Sequence, residues 1–338
     1  MPSFHDGEGI SVITTQDSVV NMINRGYFAT NEMTPGITPA YRLAEVPGKG
    51  MGLLATRRIR QGQRVMQQTP AVVVNDEAVT SLGRDALAEL LSQAMEALPA
   101  HHRGEVLGLS THSAARDHGD RVYKIFAKNS YTSGMHDGVS TFRSLYSIVS
   151  RINHSCRPNL AYYFDSSTFT HNVIAVRTIE AGEELTVSYI DPFLTHAQRQ
   201  ALLHSTWGFH CACDRCSASA SQTAASDARV SRIHDLWARL DDYARPATDA
   251  TPRMAESLVA LYEREGIVGR VQEAHYRAAV EWIGVGDAGK AAKHAELCVH
   301  YGVMFKGPGR PFVEKMRELL REPEGYTMWG FRLRNQEL

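Results

Sequence analysis

Arg151-Ile-Asn-His-Ser-Cys-Arg-Pro-Asn-Leu160 is the stretch on which the reading of this chain turns. It sets an Asn-His pair beside a cysteine and a proline-bounded turn, so that small polar donors and acceptors crowd around one thiol. Taken alone, an Asn-His pair reads first as a satisfied structural turn, and Cys156 as a small buried apolar residue. Two distant stretches give it weight. Upstream, Gly48-Lys-Gly-Met-Gly-Leu-Leu-Ala-Thr56 carries glycines at alternate positions, which let a backbone turn tightly and approach a ligand closely. Its spacing is neither that of a dinucleotide-binding motif nor that of a P-loop, and no helix pattern follows it. Downstream, Glu183-Glu-Leu-Thr-Val-Ser-Tyr-Ile-Asp191 reads as a strand and is followed by Trp207-Gly-Phe-His-Cys-Ala-Cys-Asp-Arg-Cys216.

The five cysteines are Cys156, Cys211, Cys213, Cys216 and Cys298. An odd number in a chain whose first residues do not read as a secretory signal does not suggest a disulfide framework. The Cys-x-Cys-x-x-Cys at 211–216 offers three soft ligands to one ion, one short of a closed tetrahedral site. Cys156 is the natural fourth. Cys298 is the competitor, but it sits on the apolar face of a helical pattern and reads better as core. None of the 15 histidines forms a pair with convincing ligand context.

Composition bounds the rest. At roughly 100–200 residues per domain, the 338 residues suggest two or three domains. With 36 Lys and Arg against 37 Asp and Glu, the net charge of −1 argues against a globally basic nucleic-acid binder. The basic run Arg57-Arg-Ile-Arg60 reads as a solvated face rather than a phosphate site. No apolar run approaches the ~18 residues that span a bilayer. The expected setting is intracellular, in nucleus or cytoplasm.

Along the chain, residues 1–39 read as an N-terminal extension with one short helix near Gln16–Asn24. Strand and turn patterns fill 40–76, with strands at Tyr41–Val46 and Val65–Val74. Leu82, Leu87, Leu90, Leu91, Met95 and Leu98 recur at helical spacing and mark 77–120 as a helical insert. Short strands and turns return over 121–195, clearest at Val173–Val176 and Glu184–Ile190. The small-residue stretch Ser217–Ser226 reads as a linker. Beyond it the pattern is helical, with helices expected at 229–243, 253–265, 269–284, 287–302 and 310–321; the stretch 286–297 resembles one helix of a tetratricopeptide-like hairpin.

In order and wording, the three motif stretches resemble the SET-domain lysine methyltransferases. The nearest likeness is to the SET-and-MYND branch and related fungal SET proteins, and it covers about 40–76 and 121–217. Asn129-Ser-Tyr131 resembles the Asn-Ser-aromatic stretch of that branch, and Leu145-Tyr146 keeps the family's spacing to Asn153. The fold class implied is α+β: a SET β-fold with a pseudoknot, a helical insert, a zinc-binding post-SET segment at 196–217 and an all-α C-terminal domain over 218–338.

The resemblance implies S-adenosylmethionine as cofactor and a protein substrate presenting a lysine. Lys49, Gly50 and Met51 would lie along the cofactor, Asn153 and His154 would hold it, and Phe209 would pack on its adenine. Asn129 and Ser150 would be lesser contacts. Tyr189 would be catalytic, and Tyr131, Tyr146 and Trp207 would line the lysine channel. One structural zinc would be held by Cys156, Cys211, Cys213 and Cys216. Three departures stand out: no cysteines remain for a MYND finger, Met51 replaces a common arginine, and Trp207 replaces a common tyrosine. Two alternatives keep the scaffold, one adapted to a small-molecule acceptor and one acting as a binding module without catalysis.

Overall fold

The computed structural model describes residues 9–24, 26, 39–134, 141–241 and 250–334. Two compact units emerge. The first comprises Met1–Asn153, Tyr162–Thr186 and His204–Phe209; the second comprises His154–Ala161, Val187–Leu203 and His210–Leu338.

The first half of the chain runs β1 (Ser11–Ile13), α1 (Gln16–Asn24), β2 (Tyr41–Val46), β3 (Gly50–Ala55), β4 (Arg64–Gln68), β5 (Val72–Asn75), α2 (Asp76–Ser81), α3 (Arg84–Glu96), α4 (Ala100–Leu107) and α5 (His118–Asn129). Strands β6 (Tyr131–Gly134), β7 (Thr141–Leu145), β8 (Asn153–His154), β9 (Leu160–Asp165), β10 (Thr170–Ala175) and β11 (Glu184–Val187) follow. They make three small sheets, in the orders β1-β5-β7-β6, β4-β10-β9 and β2-β3-β11-β8.

The β2–β3 hairpin owes its turn to glycine. Gly48 and Gly50 have φ of +73° and +74°, a region that side chains rarely adopt, and the Lys49 N–H closes the turn on the Val46 carbonyl at 3.0 Å. Two further turns repeat one device. Ile59-Arg-Gln-Gly62 and Ile179-Glu-Ala-Gly182 each end on a glycine of positive φ, and in each the side chain of the next residue, Gln63 or Glu183, accepts the N–H three residues back. Ile59 and Ile179 exchange both main-chain bonds at 2.9 Å and are fully buried, which locks the two turns together.

One core cluster of this unit lies where helices cover β5 and β7. Leu87, Leu91 and Met95 of α3 and Val122, Ile125 and Phe126 of α5 pack on Val72, Val74 and Leu145. Each such side chain contributes ~1.5–3 kcal/mol on burial. Asp120, 4% exposed, fixes the α3–α5 pair: it is bonded by the Arg84 guanidinium and the Arg116 N–H and paired with Lys124.

The second half is helical: α6 (His196–Trp207), α7 (Ala220–Leu240), α8 (Pro252–Glu265), α9 (Val271–Gly284), α10 (Ala288–Lys306), α11 (Pro311–Arg321) and α12 (Phe331–Arg334). From α7 to α11 each helix packs on the next. Phe193, Ile233, Leu236, Leu258 and Tyr262 form one buried cluster, and Ala279, Ile283, Ala295, Cys298, Met316 and Leu319 another. Cys298 is therefore core. No helix among the described residues is long and apolar enough to cross a membrane.

Four expectations need correction. The strand expected over 65–74 is two, β4 and β5, because Thr69-Pro70 interrupts the ladder and Pro70 has no N–H to donate. The helical insert runs on through α5 to Asn129, so 121–129 is helix rather than strand and turn. Ser217–Ser226 is not a linker. Ser219 and Gln222 cap each other's main chain, and α7 begins at Ala220, nine residues before the expected start at 229. Finally, the N-terminal extension contributes β1, which pairs in parallel with β5 at Ser11↔Val72. Helix α1 falls where the sequence puts it, while residues 27–38 of the extension lie outside the described residues.

Candidate active site and metal centre

In the first unit the three motif stretches meet. The β2–β3 turn presents Lys49, whose Nζ lies 2.5 Å from Glu184 Oε2 at the start of β11. Asn153, on β8, donates through Nδ2 to Glu184 Oε1 at 3.0 Å and to the Met51 carbonyl at 3.4 Å. Glycine is required at 52 for this approach: a Cβ there would stand 2.5 Å from Asn153 Nδ2 and 2.9 Å from Val46. A Cβ at Gly48 or Gly50 would meet nothing within 4 Å, so that side of the glycine strip is open. Met51 beside it is 46% exposed. The strip is edged by an amine, a carboxylate, an amide and a thioether, and the first three bond one another.

Asn129 and Ser150 lie deeper. Asn129 donates its amide to the carbonyls of Ser110 and Ile125, at 2.8 and 2.7 Å. Ser150 Oγ donates to the Asn129 carbonyl at 2.9 Å and accepts from the Tyr146 N–H at 3.3 Å. Both therefore brace main chain. Trp207 Nε1 donates to the Lys128 carbonyl at 3.1 Å, and Lys128 Nζ bonds the Thr206 carbonyl. Phe209 is half-buried.

Tyr131 and Tyr146 belong to an aromatic cluster that the sequence did not reveal in full. Their rings stand 5.9 Å apart, and each has its centroid 4.8 Å from that of His171. Tyr162 stacks on His171 at 4.9 Å. His171 is fully buried with neither ring nitrogen hydrogen-bonded, and burial holds its pKa down to about 3. Burial also pushes the Tyr146 and Tyr162 phenols up. The cluster is thus neutral, with Tyr131 and Tyr162 only half-buried at its outer edge.

The second unit holds the other site residues. The Tyr189 N–H donates to His154 Nδ1 at 3.0 Å, and the two rings lie 5.3 Å apart. His154 Nε2 lies 3.2 Å from Cys156 Sγ. The sulfurs of Cys156, Cys211, Cys213 and Cys216 all fall within 4.8 Å of one another. Cys156 is 3.9 Å from Cys211 and 3.5 Å from Cys216. A tetrahedral ion with metal–sulfur bonds of ~2.3 Å sets its sulfurs about 3.8 Å apart, so this donor set fits one. Hydrogen bonds among the four thiols push Cys156 up and pull Cys213 down.

The cysteine loop is anchored from behind. Arg215, between two of the cysteines, pairs with Glu265 at the end of α8, and Arg229 and Ser226 of α7 bond the same carboxylate at 2.5 and 2.7 Å. Burial alone would raise the Glu265 pKa; the bonds from Ser226 and Arg229 and the charge of Arg215 hold it below the usual range. Arg157 donates to the Glu265 carbonyl, and a side chain at Gly266 would strike it at 2.9 Å. Arg199, 1% exposed, directs Nη2 at Cys216 Sγ from 3.9 Å.

The sequence reading missed Glu184, Tyr162, His171 and Arg199. Glu184 stood in a quoted motif, and its register beside Leu185 was the available signal. His171 was hidden because β10 opens with polar letters, Thr170-His-Asn, although all six of its residues are buried.

Residues 50–190 match the SET domain family model. The chain is 29% identical over 204 residues to histone-lysine N-methyltransferase set5 of Schizosaccharomyces pombe, covering 60% of this chain and 56% of that protein. It is 45% identical over 75 residues to histone-lysine N-methyltransferase SET5 of Meyerozyma guilliermondii, covering 22% and 16%. To mouse histone-lysine N-methyltransferase SMYD3 it is 38% identical over 99 residues, covering 28% and 22%. The chain spans a little over half the length of the first of these relatives and less of the others.

Proposed function

From the match of residues 50–190 to the SET domain family model, we propose that this chain transfers a methyl group from S-adenosylmethionine to the ε-amine of a protein lysine. The observation that carries this reading is the convergence of Lys49, the Met51 carbonyl, Asn153 and Glu184, drawn from three distant stretches, on one open glycine strip. The names of the relatives make histone lysines the first substrates to test, and nucleus and cytoplasm the compartments to examine.

The bound cofactor supplies an electrophilic methyl on a sulfonium. The acceptor nitrogen must offer a free lone pair, so a lysine ammonium would first have to lose its proton to solvent. In-line displacement of this kind needs alignment more than acid–base strength. A lysine of pKa ~10.4 is about three pH units from neutrality in water, so presenting the amine costs ~4 kcal/mol. An uncharged aromatic wall lowers that cost by disfavouring the ammonium. Tyr131, Tyr146 and Trp207 line that wall in this reading, with Tyr162 added to them.

Lys49, Gly50, Met51, Asn153 and His154 would hold the cofactor, His154 through its main chain because both of its ring nitrogens are engaged elsewhere, and Phe209 would pack on its adenine. Asn129 and Ser150 act one step back, by fixing the main chain around Tyr146. Tyr189 orients the amine through its hydroxyl. The four cysteines hold one structural zinc in a post-SET segment over 196–217, with 40–76 and 121–195 as the two halves of a pseudoknotted SET fold and 218–338 as a helical domain. Four thiolates close the coordination shell, so the metal takes no part in the chemistry.

The test is methyl transfer to a lysine peptide array together with Tyr189→Phe. That variant loses turnover while cofactor affinity stays within about tenfold, because the hydroxyl serves alignment. Equal loss of both would make the tyrosine structural.

A further inference from the structure

His154 sits between two groups that the reading above assigns to different tasks. On one side its Nδ1 accepts the Tyr189 N–H at 3.0 Å. On the other its Nε2 faces Cys156 Sγ at 3.2 Å. A main-chain N–H can only donate, so Nδ1 carries no proton, and in the neutral ring Nε2–H is then the donor to sulfur. The ring is 4% exposed, so both bonds are shielded from competing water.

We propose that His154 is a positioning residue that ties the main chain of Tyr189 to the cysteine cluster, accepting the Tyr189 N–H at Nδ1 and donating from Nε2 to the Cys156 sulfur. The inference rests on the reading of Tyr189 and of the four-cysteine site given above. Four thiolates against one dication leave a net charge of −2, and a buried site of that charge is stabilised by outside donors. His154 supplies one to Cys156, and Arg199 directs another at Cys216. A charge-assisted bond of this type is roughly twice as strong as a neutral one. The consequence runs both ways. The Tyr189 N–H and the Cys156 sulfur call for the same tautomer, so each bond holds the ring for the other, and loss of the sulfur contact frees one side of it. Metal loss then weakens turnover by releasing Tyr189 rather than by removing a catalytic ion.

Two substitutions separate the halves of the link. Asparagine places its Oδ1 near the Nδ1 position and reaches no further, so His154→Asn keeps an acceptor for Tyr189 and loses the donor to sulfur. Glutamine reaches the Nε2 position with an amide, so His154→Gln keeps a donor to Cys156 and loses the acceptor for Tyr189.

The experiment uses the full chain loaded with zinc or cobalt. Nitrogen-15 NMR of the zinc form should show His154 protonated at Nε2 and bare at Nδ1. In the cobalt form, a hydrogen bond to a thiolate raises the energy of the sulfur-to-metal charge-transfer band. His154→Asn should therefore move the band to lower energy and speed chelator-driven zinc release by ~10-fold or more. His154→Gln should leave band and release close to wild type while lowering kcat at nearly unchanged cofactor KM. An Nδ1–H tautomer in the wild type overturns the proposal, as does an asparagine variant with unchanged band and release rate. If His154→Asn does not fold, the wild-type tautomer and the glutamine variant still decide. Failure of the methyltransferase reading would appear separately, as wild-type protein that methylates no lysine, because tautomer and band do not depend on turnover.

Discussion

Replacing His171 with phenylalanine should make the protein more resistant to acid. Both imidazole nitrogens are buried without a hydrogen-bond partner, and Tyr131, Tyr146 and Tyr162 surround the ring. An unfolded histidine titrates near ~6.5, whereas in the folded protein burial holds His171 down to about 3. Between those values the unfolded state binds the extra proton, so stability falls as pH drops below the unfolded value. At pH 5 the gap of about 1.5 pH units amounts to ~2 kcal/mol, at ~1.36 kcal/mol per unit. At pH 7.5 it is close to nothing. Phenylalanine keeps an aromatic ring in the cluster and loses no hydrogen bond. Urea unfolding of both proteins at pH 7.5 and pH 5 measures the effect: the variant's advantage should grow by ~2 kcal/mol between them. A difference independent of pH would mean that His171 titrates in the folded protein as it does in water, and would refute the burial argument.

Other outcomes follow from the same geometry. Gly52→Ala drives a Cβ to 2.5 Å from Asn153 Nδ2 and should weaken S-adenosylmethionine binding in calorimetry by an order of magnitude or more, with little change in zinc content. Glu265→Gln leaves Arg215, 4% exposed, without its counter-charge; breaking a buried pair from one side costs ~3–5 kcal/mol, readable in denaturant midpoint. Because the folded Glu265 pKa is depressed, its contribution is present above the unfolded value and is lost as pH falls through the folded one. Cys213→Ser should lower bound zinc, read by elemental analysis, and unchanged metal content would count against the four-cysteine site.

Much of this was legible because the informative letters are those with few structural uses. Glycines at 48, 50 and 52, the Asn-His-Ser-Cys run and the three clustered cysteines each restrict the backbone or the chemistry, and the helical pattern expected over 253–265 is α8, which ends on Gly266 with a left-handed backbone. What stayed hidden depended on partners far away in sequence. Ser217–Ser226 looks like a linker until Ser219 and Gln222 are seen capping a helix whose buried face includes Ser226, held by Glu265. Strand β10 looks polar where it is most buried, because Thr170, His171 and Asn172 are enclosed by neighbours that periodicity cannot supply. Glu184 stood in a quoted motif, but only the fold brings it to Lys49 and Asn153.

The most direct test of the account is to incubate the zinc-loaded chain with S-adenosylmethionine carrying a labelled methyl and a panel of histone and non-histone proteins, then identify every labelled side chain by mass spectrometry. The account predicts label on lysine ε-nitrogen, lost in Tyr189→Phe. Cofactor that binds while the label stays on sulfur, or reaches only a small molecule, would contradict it.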